Sequence, residues 1–189
     1  MNKSIILFGV GYWGKNHLRE LNANSFVSTI LVVDPMVNNE SDIVKQYKNV
    51  KFYNTFEEAL SKNKNIDGAI VATPPATHFD IAKKCLNNNL HVLIEKPMVE
   101  TVEELNILNE LAGEKKVLMS GHTYLYNPAI QQIKNIIQNG DIGEIMFIHS
   151  QRLNFGIMRE DTDVFLSLAP HDISLVQFFM NDEKYISMS

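Results

Sequence analysis

Cysteine is almost missing: Cys85 is the single thiol among 189 residues. That excludes an internal disulfide framework and argues against a thiolate metal cluster. Long apolar runs are absent as well, none approaching the roughly 20 residues a membrane-spanning helix requires. Basic charge is not in excess. Seventeen Lys and Arg stand against 22 Asp and Glu, a net charge of −5. That balance offers no electrostatic footprint for nucleic acid or an anionic membrane. Met1-Asn2-Lys3-Ser4 runs straight into apolar residues without a signal-peptide cleavage pattern. No internal repeat and no low-complexity linker interrupts the chain. No His-x-x-x-His pair or spaced Glu cluster proposes a metal. What remains is 45% hydrophobic and 21% charged, the balance of a globular protein with a sizeable core. A soluble, cytoplasmic protein is expected.

Short apolar runs alternate with amphipathic stretches. Ile5-Ile6-Leu7-Phe8, Thr29 to Val33, Gly68 to Ala72, His91 to Ile94 and Val117 to Ser120 read as strands buried on both faces, with Lys51-Phe52-Tyr53 a shorter one. Between them lie helical segments, two of which open with capping-box spacing at Thr55 to Glu58 and Thr101 to Glu104. Another runs from about Thr77 to Leu86 and holds Cys85 as a buried small apolar residue. This alternation predicts an α/β domain, a doubly wound parallel sheet of Rossmann type, over residues 1–121. From about Gly121 the rhythm changes. Asn127-Pro128 caps a helix that Gly140 stops, and Glu144 to Leu153 alternates like a strand with two differently dressed faces. A last helix is expected from Pro170. Residues 122–189 therefore read as an incomplete α+β second domain. Met119, Met146, Met158 and Met180 read as core candidates.

Gly9-Val10-Gly11-Tyr12-Trp13-Gly14 follows the first strand and opens a helix, and Asp34 ends the second strand about 20 residues later. Strand, glycine turn, helix and terminal acid together form the dinucleotide fingerprint. Gly9 permits the tight turn, Gly11 lets a pyrophosphate approach the backbone, and Gly14 lets the helix pack against the strand. The helix start then presents unpaired N–H groups to phosphate. Asp34 would accept bonds from the ribose hydroxyls and repel a 2′-phosphate, which favours NAD over NADP. Three glycines serving close packing alone, or a methyl-donor-binding Rossmann-like fold, are the alternatives at this point.

The glycine turn is joined by Ala72-Thr73-Pro74-Pro75-Ala76-Thr77-His78 and Glu95-Lys96-Pro97. Further on stand Gly121-His122-Thr123-Tyr124-Leu125-Tyr126-Asn127-Pro128, Gly140-Asp141-Ile142-Gly143-Glu144 and Leu168-Ala169-Pro170-His171-Asp172-Ile173. With these six motifs in this order the chain resembles the glucose–fructose oxidoreductase / inositol dehydrogenase / rhizopine catabolism (Gfo/Idh/MocA) family of nicotinamide-dependent sugar dehydrogenases. Tyr12-Trp13, Arg152-Leu153-Asn154 and the Ala-Pro-His-Asp run look most like its branch acting on nucleotide-linked amino sugars.

The resemblance implies a cofactor site of Gly9, Gly11, Tyr12, Trp13, Gly14, Asp34, Thr73, Pro74, His78, Glu95, Lys96 and Pro97, and catalytic roles for Lys96 and His171. An ammonium at Lys96 suits the crevice at the carboxyl edge of a parallel sheet, where it would steady alkoxide character as hydride leaves. A solvated lysine before a helix is the bland alternative. Pro97 in the family commonly follows a cis bond. His171 would be the general base, kept neutral by the positive end of its helix, or else a capping histidine. His122, Tyr126, Arg152, Asn154 and Asp172 are expected to meet the substrate, a sugar or nucleotide sugar, with Asp172 alternatively a helix cap. Many relatives carry aspartate four residues before the base, where this chain has Ser167, which cannot bring a negative charge to a protonated His171.

His17 and His91 read as structural or exposed. Two further readings stay open, a cofactor-binding protein without turnover and a truncated remnant of a longer enzyme. The family implies a homo-oligomer built through the second-domain sheet. Tyr185-Ile186-Ser187-Met188-Ser189 reads like the opening of another strand.

Overall fold

The computed structural model describes residues 2–37, 41–47, 50–153 and 164–181, apart from the side chains at 44, 45, 164, 166 and 167. The chain divides into two compact units, Met1–Gly121 and His122–Ser189. In the first, strands and helices alternate. They are β1 (Lys3–Phe8), α1 (Tyr12–Ala23), β2 (Val27–Val33), α2 (Asp42–Gln46), β3 (Val50–Tyr53), α3 (Phe56–Lys62), β4 (Gly68–Val71), α4 (His78–Asn87), β5 (His91–Ile94), α5 (Val102–Ala112) and β6 (Leu118–Ser120). The strands form one six-stranded sheet in the order β3-β2-β1-β4-β5-β6. Every pairing is parallel, with Ile5 opposite Ile30 on one side and Gly68 on the other. The order reverses at β1, so the crevice between the carboxyl ends of β1 and β4 is where such a sheet takes a ligand.

The continuous apolar runs follow from burial on both faces. Along β1, Ile6 and Phe8 point into one core layer with Phe56, Ala82, Cys85, Leu86 and Leu108 of the helices. Leu7 points the other way, toward Leu18, Ile30 and Val32. Each such fully buried side chain contributes about 1.5–3 kcal/mol of transfer free energy. The caps read from the spacing form as expected. Thr55 Oγ1 accepts from Glu58 N at 3.2 Å, and Thr101 Oγ1 accepts from Glu104 N at 3.2 Å while the Glu104 carboxylate takes Thr101 N at 3.3 Å. The short helix α2 carries too few residues to show a period and was not legible in the sequence.

The second unit contains α6 (Pro128–Gln138) and α7 (Val164–Phe179). Asn127 Oδ1 accepts from Ala129 N at 2.9 Å, Pro128 takes the first helical position, and Gly140 follows with φ +78°. The Lys134 ammonium is buried over the Phe178 ring, 5.0 Å from its centroid, and donates to the Phe178 carbonyl and to Asn181 Oδ1. A cation there satisfies carbonyls that the end of α7 leaves open.

Three expectations are overturned here. Residues 144–153 do not form a strand, because a strand exists only against a hydrogen-bonded neighbour and none of the described residues pairs with them. Met146 is accordingly 86% exposed rather than a core residue. The last helix starts at Val164, with Pro170 inside it. The proline's missing N–H removes one bond of a 16-residue helix, which the remaining turns tolerate. Met158 and the run from Tyr185 to Ser189 lie outside the described residues.

Burial pushes the Cys85 thiol up to about 12. The folded chain is therefore expected to be silent toward a thiol reagent such as dithionitrobenzoate at pH 8, and to release one equivalent on unfolding. Rapid reaction of the folded chain would contradict the packing of α4.

Candidate active site

The turns that leave the carboxyl ends of the strands are held there by continuation of the ladder. Gly9 N donates to Val33 O at 2.9 Å, Ala72 N to Phe8 O at 2.9 Å, Glu95 N to Val71 O at 2.9 Å, and Gly121 N to Ile94 O at 2.8 Å. These bonds gather the glycine turn, the Thr73-Pro74 turn and the Glu95-Lys96-Pro97 turn along one edge of the sheet.

Within the glycine turn the three glycines have separate reasons. Gly9 has φ +81°, and a Cβ on it would stand 2.8 Å from the Ala72 carbonyl oxygen. A Cβ on Gly14 would stand 2.1 Å from the Gly9 carbonyl oxygen, so α1 and β1 meet with no room for a side chain. Gly11, which precedes the first turn of α1, faces open space. The first turn carries no acidic side chain, and its first ring closes with Lys15 N on Gly11 O at 3.1 Å. Amides without intrahelical partners at such a start favour an anion, and the space before Gly11 gives a pyrophosphate access to them. Tyr12 and Trp13 stack edge to face at 5.6 Å, exposed beside this turn.

Asp34 closes over the same turn. Its Oδ2 accepts from Val10 N and its Oδ1 from Met36 N, both at 2.9 Å. Each oxygen keeps a free acceptor direction, so the carboxylate is aimed by the backbone and still able to receive a ribose hydroxyl.

The Thr73 turn is knitted by the Thr77 hydroxyl, 2.7 Å from Thr73 Oγ1 and 2.8 Å from Pro74 O. His78, at 1% exposure, does not face outward to a cofactor; both ring nitrogens lie against main-chain carbonyls, Nδ1 2.8 Å from Pro97 O and Nε2 2.8 Å from Thr73 O. Glu95 is buried too, and its Oε1 lies 2.7 Å from His17 Nε2. His17 is thus a partner of the Glu95 turn, a contact no local sequence pattern announces. Lys96 is half-buried, its N–H donates to Glu95 Oε2 at 3.3 Å, and the Lys96–Pro97 bond is cis.

In the second unit, Arg152 Nε donates to Asp172 Oδ2 at 2.7 Å and Ser150 Oγ to Asp172 Oδ1 at 2.6 Å. Burial alone would raise the Asp172 pKa, but the bonds from Arg152 and Ser150 outweigh it and hold the carboxyl below its usual range. The same bond to Asp172 raises Arg152 further. The Arg152 guanidinium lies over the Tyr124 ring at 4.8 Å, and Tyr124 meets the His171 ring edge to face at 4.8 Å. Tyr124, rather than the more exposed Tyr126, is therefore the aromatic that joins this group. Its place became visible only once the 3-10 turn Thr123–Tyr126 set it against α7.

His171 lies beyond the first turn of α7, so the helix dipole does not supply the neutral imidazole expected from a helix start. His122 has its Nδ1 buried without a hydrogen-bond partner among the described residues, and burial lowers its pKa. Asn154 and the side chain of Ser167 lie outside the described residues. No group of three potential metal ligands occurs among the described residues, nor any helix long and apolar enough to cross a membrane.

A parallel sheet with its glycine turn, acid and lysine on the carboxyl edge defines a dinucleotide-binding oxidoreductase class, and comparison with known proteins agrees. The model of the Gfo/Idh/MocA oxidoreductases, described as an oxidoreductase family with an NAD-binding Rossmann fold, matches residues 3–122. The chain belongs to this family. Inositol 2-dehydrogenase of Salmonella typhimurium is 26% identical over 183 residues, 94% of this chain and 54% of that protein. UDP-N-acetylglucosamine 3-dehydrogenase of Acidithiobacillus ferrooxidans is 26% identical over 171 residues, 89% of this chain and 51% of that one. Among solved structures, GenD2 from gentamicin A biosynthesis in complex with NAD superposes with TM-score 0.78 at 21% identity, covering 96% of this chain and 54% of that one. The chain spans about half the length of the curated relatives it matches.

Gly14→Ala is expected to destabilise the first unit by about 3 kcal/mol or more, because backbone stands on both sides of the contact. Urea unfolding measures this. A loss below about 0.5 kcal/mol would show that α1 and β1 can move apart.

Proposed function

We propose that the protein transfers hydride between NAD and a secondary hydroxyl of a sugar or nucleotide sugar. The observation that carries this reading is the gathering of Gly11, Asp34 and Lys96 at the carboxyl edge of one parallel sheet, around its topological switch point. When bound, NAD supplies the carbon that accepts the hydride. The α1 amides and the open approach at Gly11 hold its pyrophosphate, and Asp34 accepts from the adenosine ribose. That same charge disfavours a 2′-phosphate and sets NAD above NADP.

Lys96 donates to the reacting oxygen and steadies negative charge as it develops there. His171 accepts the hydroxyl proton, and Tyr124 limits the swing of its ring. Arg152, set by Asp172, offers its remaining N–H groups to substrate oxygens, with His122, Tyr126 and Asn154 as further contacts. The inositol 2-dehydrogenase and UDP-N-acetylglucosamine 3-dehydrogenase relatives support a polyhydroxylated substrate. The NAD complex of GenD2 supports the cofactor. A second reading, binding of NAD without turnover, is favoured by Ser167 in place of the aspartate that many relatives carry before the base.

Trp13, the sole tryptophan, stands beside the glycine turn and reports binding by its fluorescence. Asp34→Ala is expected to weaken NAD at least about tenfold, the worth of a charged hydrogen bond, and to narrow the preference over NADP. Unchanged NAD affinity would remove the ribose assignment. Lys96→Ala is expected to lower single-turnover hydride transfer by about 10²-fold or more while NAD still binds. Wild-type binding of NAD with no hydride transfer from any sugar in a panel, and transfer restored by Ser167→Asp, would establish the second reading.

A further inference from the structure

We infer that Thr73 holds the second ribose of the dinucleotide, the one next to the nicotinamide, as a hydrogen-bond acceptor, and that Thr77 orients it by taking its hydroxyl proton. The inference deepens the proposed function and rests on the dinucleotide lying along the carboxyl edge of the sheet.

The direction of the hydroxyl chain follows from a count of protons. Thr77 Oγ1 lies 2.8 Å from the Pro74 carbonyl oxygen and 2.7 Å from Thr73 Oγ1. A carbonyl oxygen accepts and never donates, so the single Thr77 hydroxyl proton goes to Pro74. The short contact with Thr73 then needs the proton of Thr73, whose hydroxyl donates to Thr77. Thr73 Oγ1 is left with lone pairs and no proton to offer. The side chain is also fixed in rotation. A Cβ on Gly9 would stand 3.1 Å from Thr73 Cγ2, so the methyl lies against the glycine turn, and a methyl held there places the hydroxyl as well. The Thr73 carbonyl oxygen is engaged separately, 2.8 Å from His78 Nε2.

An acceptor without a proton selects among the parts of a dinucleotide. Ionised phosphate oxygens only accept, so Thr73 Oγ1 cannot hold the pyrophosphate; a ribose hydroxyl donates and fits. The order of the strands says which ribose. Along the carboxyl edge the sheet runs β2-β1-β4-β5, with neighbouring strands about 4.8 Å apart. Asp34 follows β2, the glycine turn follows β1, Thr73 follows β4 and Lys96 follows β5. In the proposed function the adenosine ribose lies at the first of these, the pyrophosphate at the second and the reacting end at the last. What joins the pyrophosphate to the reacting ring is the second ribose, and the turn between theirs is the one that carries Thr73. Two acceptors, the Asp34 carboxylate and the Thr73 hydroxyl oxygen, thus flank the amides of α1 in the order in which the two riboses flank the phosphates.

The test compares NAD, ADP-ribose and ADP on the full chain by Trp13 fluorescence. ADP keeps the adenosine ribose and two phosphates but lacks the second ribose. Thr73→Val is expected to weaken NAD and ADP-ribose by about three- to tenfold, the worth of one neutral hydrogen bond, and to leave ADP unchanged. Thr77→Val should act on the same two ligands in the same direction by a smaller factor, and Thr77→Ser, which keeps the hydroxyl, should restore wild-type affinities. In the wild-type chain with 13C-labelled threonine methyls, the Thr73 signal is expected to move further with ADP-ribose and NAD than with ADP. That record decides even where a variant fails to fold, and one common position for the three ligands would overturn the inference. Equal losses for all three ligands in Thr77→Val would leave the turn a structural role alone. A loss confined to NAD would put the donor on the carboxamide, and unchanged affinities in both valine variants would leave Thr73 without a ligand. Each of these overturns the inference. The proposed function fails separately: the ribose pattern intact, with no hydride transfer from any sugar, would remove the reaction and leave the Thr73 contact standing.

Discussion

The contact between Gly14 and the Gly9 carbonyl sets the geometry on which the first unit depends. With 2.1 Å between that oxygen and where a Cβ would be, α1 must start directly off the end of β1, and any side chain would force them apart. The close approach lays the first turn of α1 across the carboxyl edge of the sheet. It also brings Val10 N within 2.9 Å of Asp34, so a carboxylate from β2 is drawn toward the same turn. The amides at the start of α1 and the Asp34 carboxylate become neighbours through one missing methyl group. The remaining turns at this edge need no further device, because the parallel ladder delivers them to the same place.

The first unit was largely legible in the sequence because its determinants are local. A run such as Ile5 to Phe8 is apolar at every position only if both faces are covered, and both are, by α1 on one side and α3 to α5 on the other. Thr101 and Glu104 announce their helix three residues apart. Long-range pairs were not legible. His17 and Glu95 lie on different elements, and nothing in either neighbourhood encodes the 2.7 Å between them. His78 was placed near the cofactor edge from its motif, yet the direction of its ring depends on a carbonyl 19 residues away.

The second unit shows where pattern reading stops. Glu144 to Leu153 alternates as a strand should, but alternation states only which side chains could share a face; the backbone groups still need a neighbour. Pro170 carries the sequence signature of a helix start and lies inside α7, which moves His171 away from the helix end. What secures this unit instead is polar and partly buried: Lys134 on the end of α7, and the chain of Asp172, Arg152, Tyr124 and His171. In that chain the ring of Tyr124 meets the ring of His171 edge to face.

The central claim is that the carboxyl edge of the parallel sheet is a nicotinamide dinucleotide site. The most direct measurement is a titration of NAD into the 15N-labelled chain with every assigned amide followed. The account predicts saturable shifts concentrated at Gly9 to Gly14, at Met36 beside Asp34, at Thr73 and at Lys96, with the amides at the opposite edge, such as His91 and Val117, unmoved. Shifts scattered over the surface, or absent from the glycine turn at saturating NAD, would contradict it.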